Sequence, residues 1–330
     1  MSEPRLPPEL EHAIFKVAAM NFPGTIPTLM RVSRRVLEWT EPLLYRVLQF
    51  QMETIPTEGF LRAIRANSQE FAARSVESIF FEAPQDISRE LGTELLRKCT
   101  GIVRFGTTYP FTGTAVLEAL GNLPNLRHLT LNLGSLLSWD DGSVPDASLD
   151  PLPAAFRNIT HLSLIDYMID DADEHNTYAL LPRLPKLTHL AMRRGAMSDN
   201  AIRTLLPSRP QLRVLLLTDN TNPFPLPDGL PSADPRLVFG FLSTEYRGFW
   251  GDWLSGSKGD RDMWALSYET VQGRINSKAS HESWSSSDAW ISMSTEPISR
   301  NQPVSPELDR KLDYSRMDDE LLPSLPAGQE

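Results

Sequence analysis

One phrase recurs along this chain and constrains its fold more than any other feature. It is clearest at Leu126-Arg-His-Leu129-Thr-Leu131 and returns at Ile159-Thr-His-Leu162-Ser-Leu164, Leu187-Thr-His-Leu190-Ala-Met192 and Leu212-Arg-Val-Leu215-Leu-Leu217. The first apolar positions, 126, 159, 187 and 212, lie 33, 28 and 25 residues apart. One short strand cannot bury its apolar side alone. Stacked copies can, and they form a parallel sheet whose elements touch only their neighbours.

Looser copies at Val76-Glu-Ser-Ile79-Phe-Phe81 and Thr100-Gly-Ile-Val103-Arg-Phe105 precede these four, and Leu237-Val-Phe-Gly240-Phe-Leu242 follows them. Seven strands are expected. L-x-x-L-x-L at a period of about 20–30 residues is the signature of a leucine-rich repeat. The fold class is therefore read as α/β, a leucine-rich-repeat solenoid with a curved parallel sheet over residues 49–275, preceded by a small all-α head over residues 1–48. Helices are expected between strands at Glu58–Ala73, Ile87–Arg97, Val116–Leu120 and Ser198–Leu206.

The head begins at Leu6-Pro-Pro-Glu-Leu10, where the prolines suit a first helical turn. Leu10, Ile14, Phe15, Val17 and Ala18 follow at helical spacing, and Pro23, Gly24 and Pro27 end the helix. A second helix is expected from Thr28, with Leu29, Val32, Val36 and Trp39 on one face. Pro42 interrupts it, and Leu43–Leu48 forms a third short element. A head of this size is too small to be very stable alone.

The head resembles an F-box. Leu6-Pro7-Pro8-Glu9-Leu10 with Ile14-Phe15 is similar to its opening, Val32-Ser33-Arg34-Arg35-Val36 to its central stretch and Pro42-Leu43-Leu44-Tyr45 to its close. With the repeats behind it, the chain resembles the F-box-like leucine-rich-repeat proteins numerous in mushroom-forming fungi. The resemblance implies a substrate-recruiting subunit of a Skp1–cullin–F-box ubiquitin ligase. It implies a Skp1-type adaptor bound through Leu6, Pro7, Leu10, Ile14, Leu29, Val32, Leu43, Leu44 and Tyr45. The same apolar pattern also suits a head that only closes the end of the repeat stack, since an uncapped stack exposes apolar surface.

Side chains alternate across a strand. Residues flanking the middle Leu of each phrase are thus expected on the open concave face: His128, Thr130 and Asn132; His161, Ser163 and Ile165; His189, Ala191 and Arg193; Val214, Leu216 and Thr218. That row is the expected footprint of a recruited target protein. The three histidines would form a ladder along neighbouring strands. A straight ladder converges less than zinc ligation demands, so no metal is expected there. The chain shows no G-x-S-x-G, P-loop, G-x-G-x-x-G or C-x-x-C pattern, and neither an enzyme nor a cofactor is expected.

Composition narrows the partners. Acidic residues outnumber basic ones 42 to 32, for a net charge of −10. That argues against nucleic acid as the main ligand, because phosphate binding needs a basic face. Cys99 is the one cysteine, which rules out an internal disulfide and suits a reducing compartment. No apolar run reaches spanning length and Met1–Pro8 has no apolar signal region, so a cytoplasmic or nuclear protein away from membranes is expected. Trp250, Trp253 and Trp264 are expected to cap the last repeat. The Ser-rich, acidic stretch 276–330 is expected to lack a fixed structure.

Overall fold

The phrase forms strands because its alternate positions are apolar and can meet one core. The computed structural model describes residues 6–50, 57–81, 89–107, 111, 113–137, 150–166, 178–219, 234–242, 246–279 and 290–293. Nine strands lie side by side in chain order in one sheet. They are β1 (Val47–Phe50), β2 (Ser78–Phe81), β3 (Arg104–Thr107), β4 (His128–Leu131), β5 (His161–Leu164), β6 (His189–Arg193), β7 (Val214–Asp219), β8 (Leu237–Leu242) and β9 (Trp290–Met293). Every pairing is parallel. The four clear phrases stack in phase, with Leu129 opposite Leu162, Leu162 opposite Leu190 and Leu190 opposite Leu215.

The helices, in chain order, are α1 (Pro8–Asn21), α2 (Ile26–Leu29), α3 (Arg34–Thr40), α4 (Thr57–Ala66), α5 (Gln69–Ser75), α6 (Arg89–Lys98), α7 (Thr114–Gly121), α8 (Leu133–Leu137), α9 (Asp199–Ser208), α10 (Tyr246–Lys258) and α11 (Met263–Ala279). Helices α4 to α9 supply one apolar layer. Ile64, Leu96, Leu120, Leu136 and Leu206 meet the inward residues of the strands there, from Leu48 and Ile79 through Leu131 and Leu164 to Leu217 and Phe239. Burying one such side chain fully is worth about 1.5–3 kcal/mol. Phe81 sits at the centre of an aromatic group with Phe50, Phe105 and Phe111, at centroid distances of 5.1, 5.9 and 4.5 Å.

Two arginines staple successive turns. Arg209 is buried and donates to Pro182 O and Leu184 O. Arg236, one repeat on, donates to Leu206 O, Arg209 O and Leu212 O and pairs with Asp234. Both satisfy carbonyls at helix ends and in turns, outside the strand ladder.

Several expectations need correction. Two looser phrases are out of register: Phe105 stands opposite Ile79 and Leu129, so the true copy is Ile102-x-x-Phe105-x-Thr107, and Leu237 stands opposite Leu215. The region read as one helix at Glu58–Ala73 is two, because Ser68 accepts from Phe71 N and starts α5. The second head helix is likewise split: Ser33 is extended and accepts from Val36 N, starting α3. The third head element is a 3-10 turn at Glu41–Tyr45, after which Val47 and Leu48 enter the sheet as β1. The boundary at 48 therefore falls inside a strand. At the other end β9 extends the sheet into the stretch expected to lack structure. The acidic stretches 138–149 and 167–177, and the tail from 294, lie outside the described residues.

Candidate functional site

The candidate residues lie on two surfaces: the outer side of the head and the face of the sheet turned away from α4–α9. In the head, α1 holds α3 through polar and ring contacts. Arg35 pairs with Glu11, His12 lies 5.1 Å from the Trp39 ring, and Arg35 stands 5.4 Å over that ring. Ala19, Ile26 and Val36 are the buried apolar residues of this small layer. The head joins the repeats where Tyr45 packs edge-on against Phe71 of α5, at 5.6 Å.

That packing turns the apolar stripe of α1 outward. Leu10, Ile14 and Val17 are 53, 55 and 57% exposed, and Phe22 and Val32 are 66 and 58% exposed. Leu6 and Leu44 are exposed as well. Leu10, Ile14 and Val17 fall at i, i+4 and i+7, one face of the helix. Of the residues named for adaptor binding, Leu6, Pro7, Leu10, Ile14, Val32 and Leu44 are exposed, while Leu29, Leu43 and Tyr45 are partly covered. Val17, Met20 and Phe22 belong to the exposed set too, and the α1 periodicity already pointed to Val17. Exposed apolar groups gathered on one small element mark interaction surfaces.

The second face is closed, which corrects the expectation of an open concave surface. The hairpin of α10 and α11 lies on it. Ala191, Val214, Leu216 and Val238 pack with Met263, Trp264 and Val271. Phe80 packs with Trp253, their rings 5.2 Å apart. Thr130, Ser163, His189, Val214, Leu216 and Thr218 are buried, and His128 and His161 are half-buried. Asn132, Ile165 and Arg193, at the far ends of their strands, are half-exposed. The hairpin was expected to cap the last repeat; instead it runs back over β2 to β8. Arg274 is buried and donates to Pro235 O and Leu237 O, while Tyr268 is exposed.

Under the hairpin the histidine ladder is real. His128, His161 and His189 stack with centroids 4.1 Å apart at each step. Trp264 stands edge-on to His161 and His189 at 5.3 and 5.9 Å. The Thr160 and Thr188 hydroxyls hydrogen-bond Nδ1 of the histidine that follows each, at 2.9 and 2.8 Å. Burial above all, with neighbouring positive charge, lowers the imidazole pKa values to about 3 for His128, about 2 for His161 and about 4 for His189. The ladder is neutral at pH 7. Among the described residues no group of three or more His, Cys, Asp and Glu is arranged to hold a metal.

Beside the ladder sits a buried carboxylate pair. Asp262 accepts from Ala265 N at the start of α11 and pairs with Arg104 at 3.3 Å. Asp252 accepts from Met263 N at 2.7 Å. Burial, then the Asp262 charge, pushes the Asp252 carboxyl up to about 7. Ser257 Oγ, Ser267 Oγ and His128 Nδ1 are buried without a hydrogen-bond partner among the described residues. A buried polar atom left so costs about 1–3 kcal/mol.

No described helix is long and apolar enough to cross a membrane. No family model matches the chain, and no curated protein matches it.

Proposed function

We propose that the chain is a substrate-recruiting subunit of a Skp1–cullin–F-box ubiquitin ligase, docking a Skp1-type adaptor on the outer side of its head. The observation that carries this reading is the outward apolar stripe of α1, Leu10, Ile14 and Val17, beside Leu6, Val32 and Leu44. An amphipathic helix that turns its apolar face away from its own domain is built to lie in a partner's groove. The function is one of proximity: tethering a target beside the transfer site raises its effective concentration. The target-binding surface is not the histidine row while α10 and α11 cover it.

A second reading keeps the head as an end cap alone. It is favoured by Tyr45 against Phe71 and by the entry of β1 into the sheet directly after the head. The experiment is a pull-down of a Skp1-type adaptor with the full chain and with Leu10→Asp and Ile14→Asp. The adaptor reading predicts capture by the parent chain and loss with either variant, both remaining folded by circular dichroism. A folded parent chain that captures no adaptor supports the cap.

A further inference from the structure

We infer that the α10–α11 hairpin is a removable cover over the second face, held shut while the three stacked imidazoles beneath Trp264 are uncharged and released when they take up protons.

The contact is of two kinds. Toward β6–β8 it is apolar, through Met263, Trp264 and Val271 on Ala191, Val214, Leu216 and Val238. Toward β3–β5 it is polar and imperfectly matched. There the sheet offers Arg104, His128, Thr130, His161 and Ser163; Arg104 pairs with Asp262 of the hairpin, while His128 Nδ1 is buried without a hydrogen-bond partner among the described residues. Ser257 Oγ and Ser267 Oγ of the hairpin are likewise buried without a partner among the described residues, and a settled core leaves few polar atoms in that state. Tyr268 and Ile275 of α11 remain exposed.

The charges facing the ladder set the direction. Arg104 and Arg213 lie close enough to disfavour further positive charge. From the hairpin, Asp262 is already committed to Arg104, Tyr268 lies 6.3 Å from the His189 ring, and exposed Glu269 is paired with Arg261. Asp252 acts in the opposite sense, since its closed form holds a proton near neutrality. One acid therefore opposes three imidazoles. When the hairpin lifts, water solvates the ring nitrogens and the imidazoles regain their ordinary affinity for protons. Acid then favours the lifted form, because that form binds more protons. This inference does not depend on what the head binds.

Hydrogen exchange on the full chain tests it. Protection factors, corrected for the intrinsic rate at each pH, are compared at pH 7.0 and 5.5. The amides of α11 are expected to lose protection by about tenfold or more, while Leu129, Leu162 and Leu190 keep theirs. His161→Asn is expected to lessen the loss and Asp252→Asn to enlarge it. Unchanged α11 protection at pH 5.5, loss in step with the strand amides, or an undiminished loss in His161→Asn overturns the inference. The parent chain alone decides the question if a variant does not fold.

Discussion

Arg104 Nη1 donates to Asp262 Oδ2 at 3.3 Å, joining β3 to the start of α11 across 158 residues of chain. Removing the cation leaves Asp262 buried beside Asp252 with only the Ala265 N–H to offset its charge. Arg104→Met is therefore expected to lower stability by about 3 kcal/mol, read as a fall in the denaturant midpoint. Asp262→Asn keeps the side-chain oxygen that starts α11 and removes the charge. The double variant Arg104→Met/Asp262→Asn is expected to recover part of the loss, and the double-mutant cycle measures how much.

Asp166 is buried just before the acidic stretch 167–177, and its carboxylate accepts from Leu133 N and Gly134 N, each at 2.9 Å. Asp166→Ala strands both donors and is expected to cost about 3 kcal/mol. Urea denaturation checks the value.

Stability should be highest near neutral pH and fall in acid. The imidazole pKa values are lowered to about 3, 2 and 4 in the folded chain. The stability of the neutral ladder is thus complete above the ordinary histidine value of about 6.5 and is lost as pH falls toward the folded values. Each imidazole that stays neutral while its unfolded counterpart charges costs about 1.4 kcal/mol per pH unit below that value. Asp252 has the opposite sign: its raised value, about 7, gives a contribution present below the ordinary carboxylate range and lost as pH rises to 7. Thermal melts from pH 4.5 to 8 should therefore show a lower Tm on the acid side, less pronounced in His189→Asn.

Gly106 faces the hairpin, where a Cβ would strike the Phe80 ring and come 3.1 Å from Trp253 Nε1. Gly106→Val is expected to destabilise by about 1–3 kcal/mol through overpacking. It should also shift Trp fluorescence, because Trp253 must move.

The clear strands were legible because period-2 alternation within a fixed phrase leaves few other ways to bury Leu126, Leu129 and Leu131 together. Register failed where the phrase was ambiguous: Val103 and Phe105 were read as its last two apolar positions, although Ile102 and Phe105 point inward. β1 was read as helix because Val47–Phe50 is too short for periodicity to decide. The closed second face was missed because His, Thr and Ser at its positions look like solvent-facing residues. Yet Val214–Leu217 is apolar at every position, which is how a strand covered on both sides reads. That run, with Ala191 and Val238 beside it, was the available signal. The outward stripe of the head was legible through residue spacing and resemblance together.

The parallel repeat sheet has its second face occupied by α10 and α11 of the same chain. The most direct measurement is a nuclear Overhauser spectrum of the full chain at pH 7. It is predicted to show cross-peaks from the Trp264 ring protons to those of His161 and His189, whose centroids lie 5.3 and 5.9 Å away. Assigned rings without those cross-peaks, in a chain whose strand amides show the parallel pairing, would contradict it.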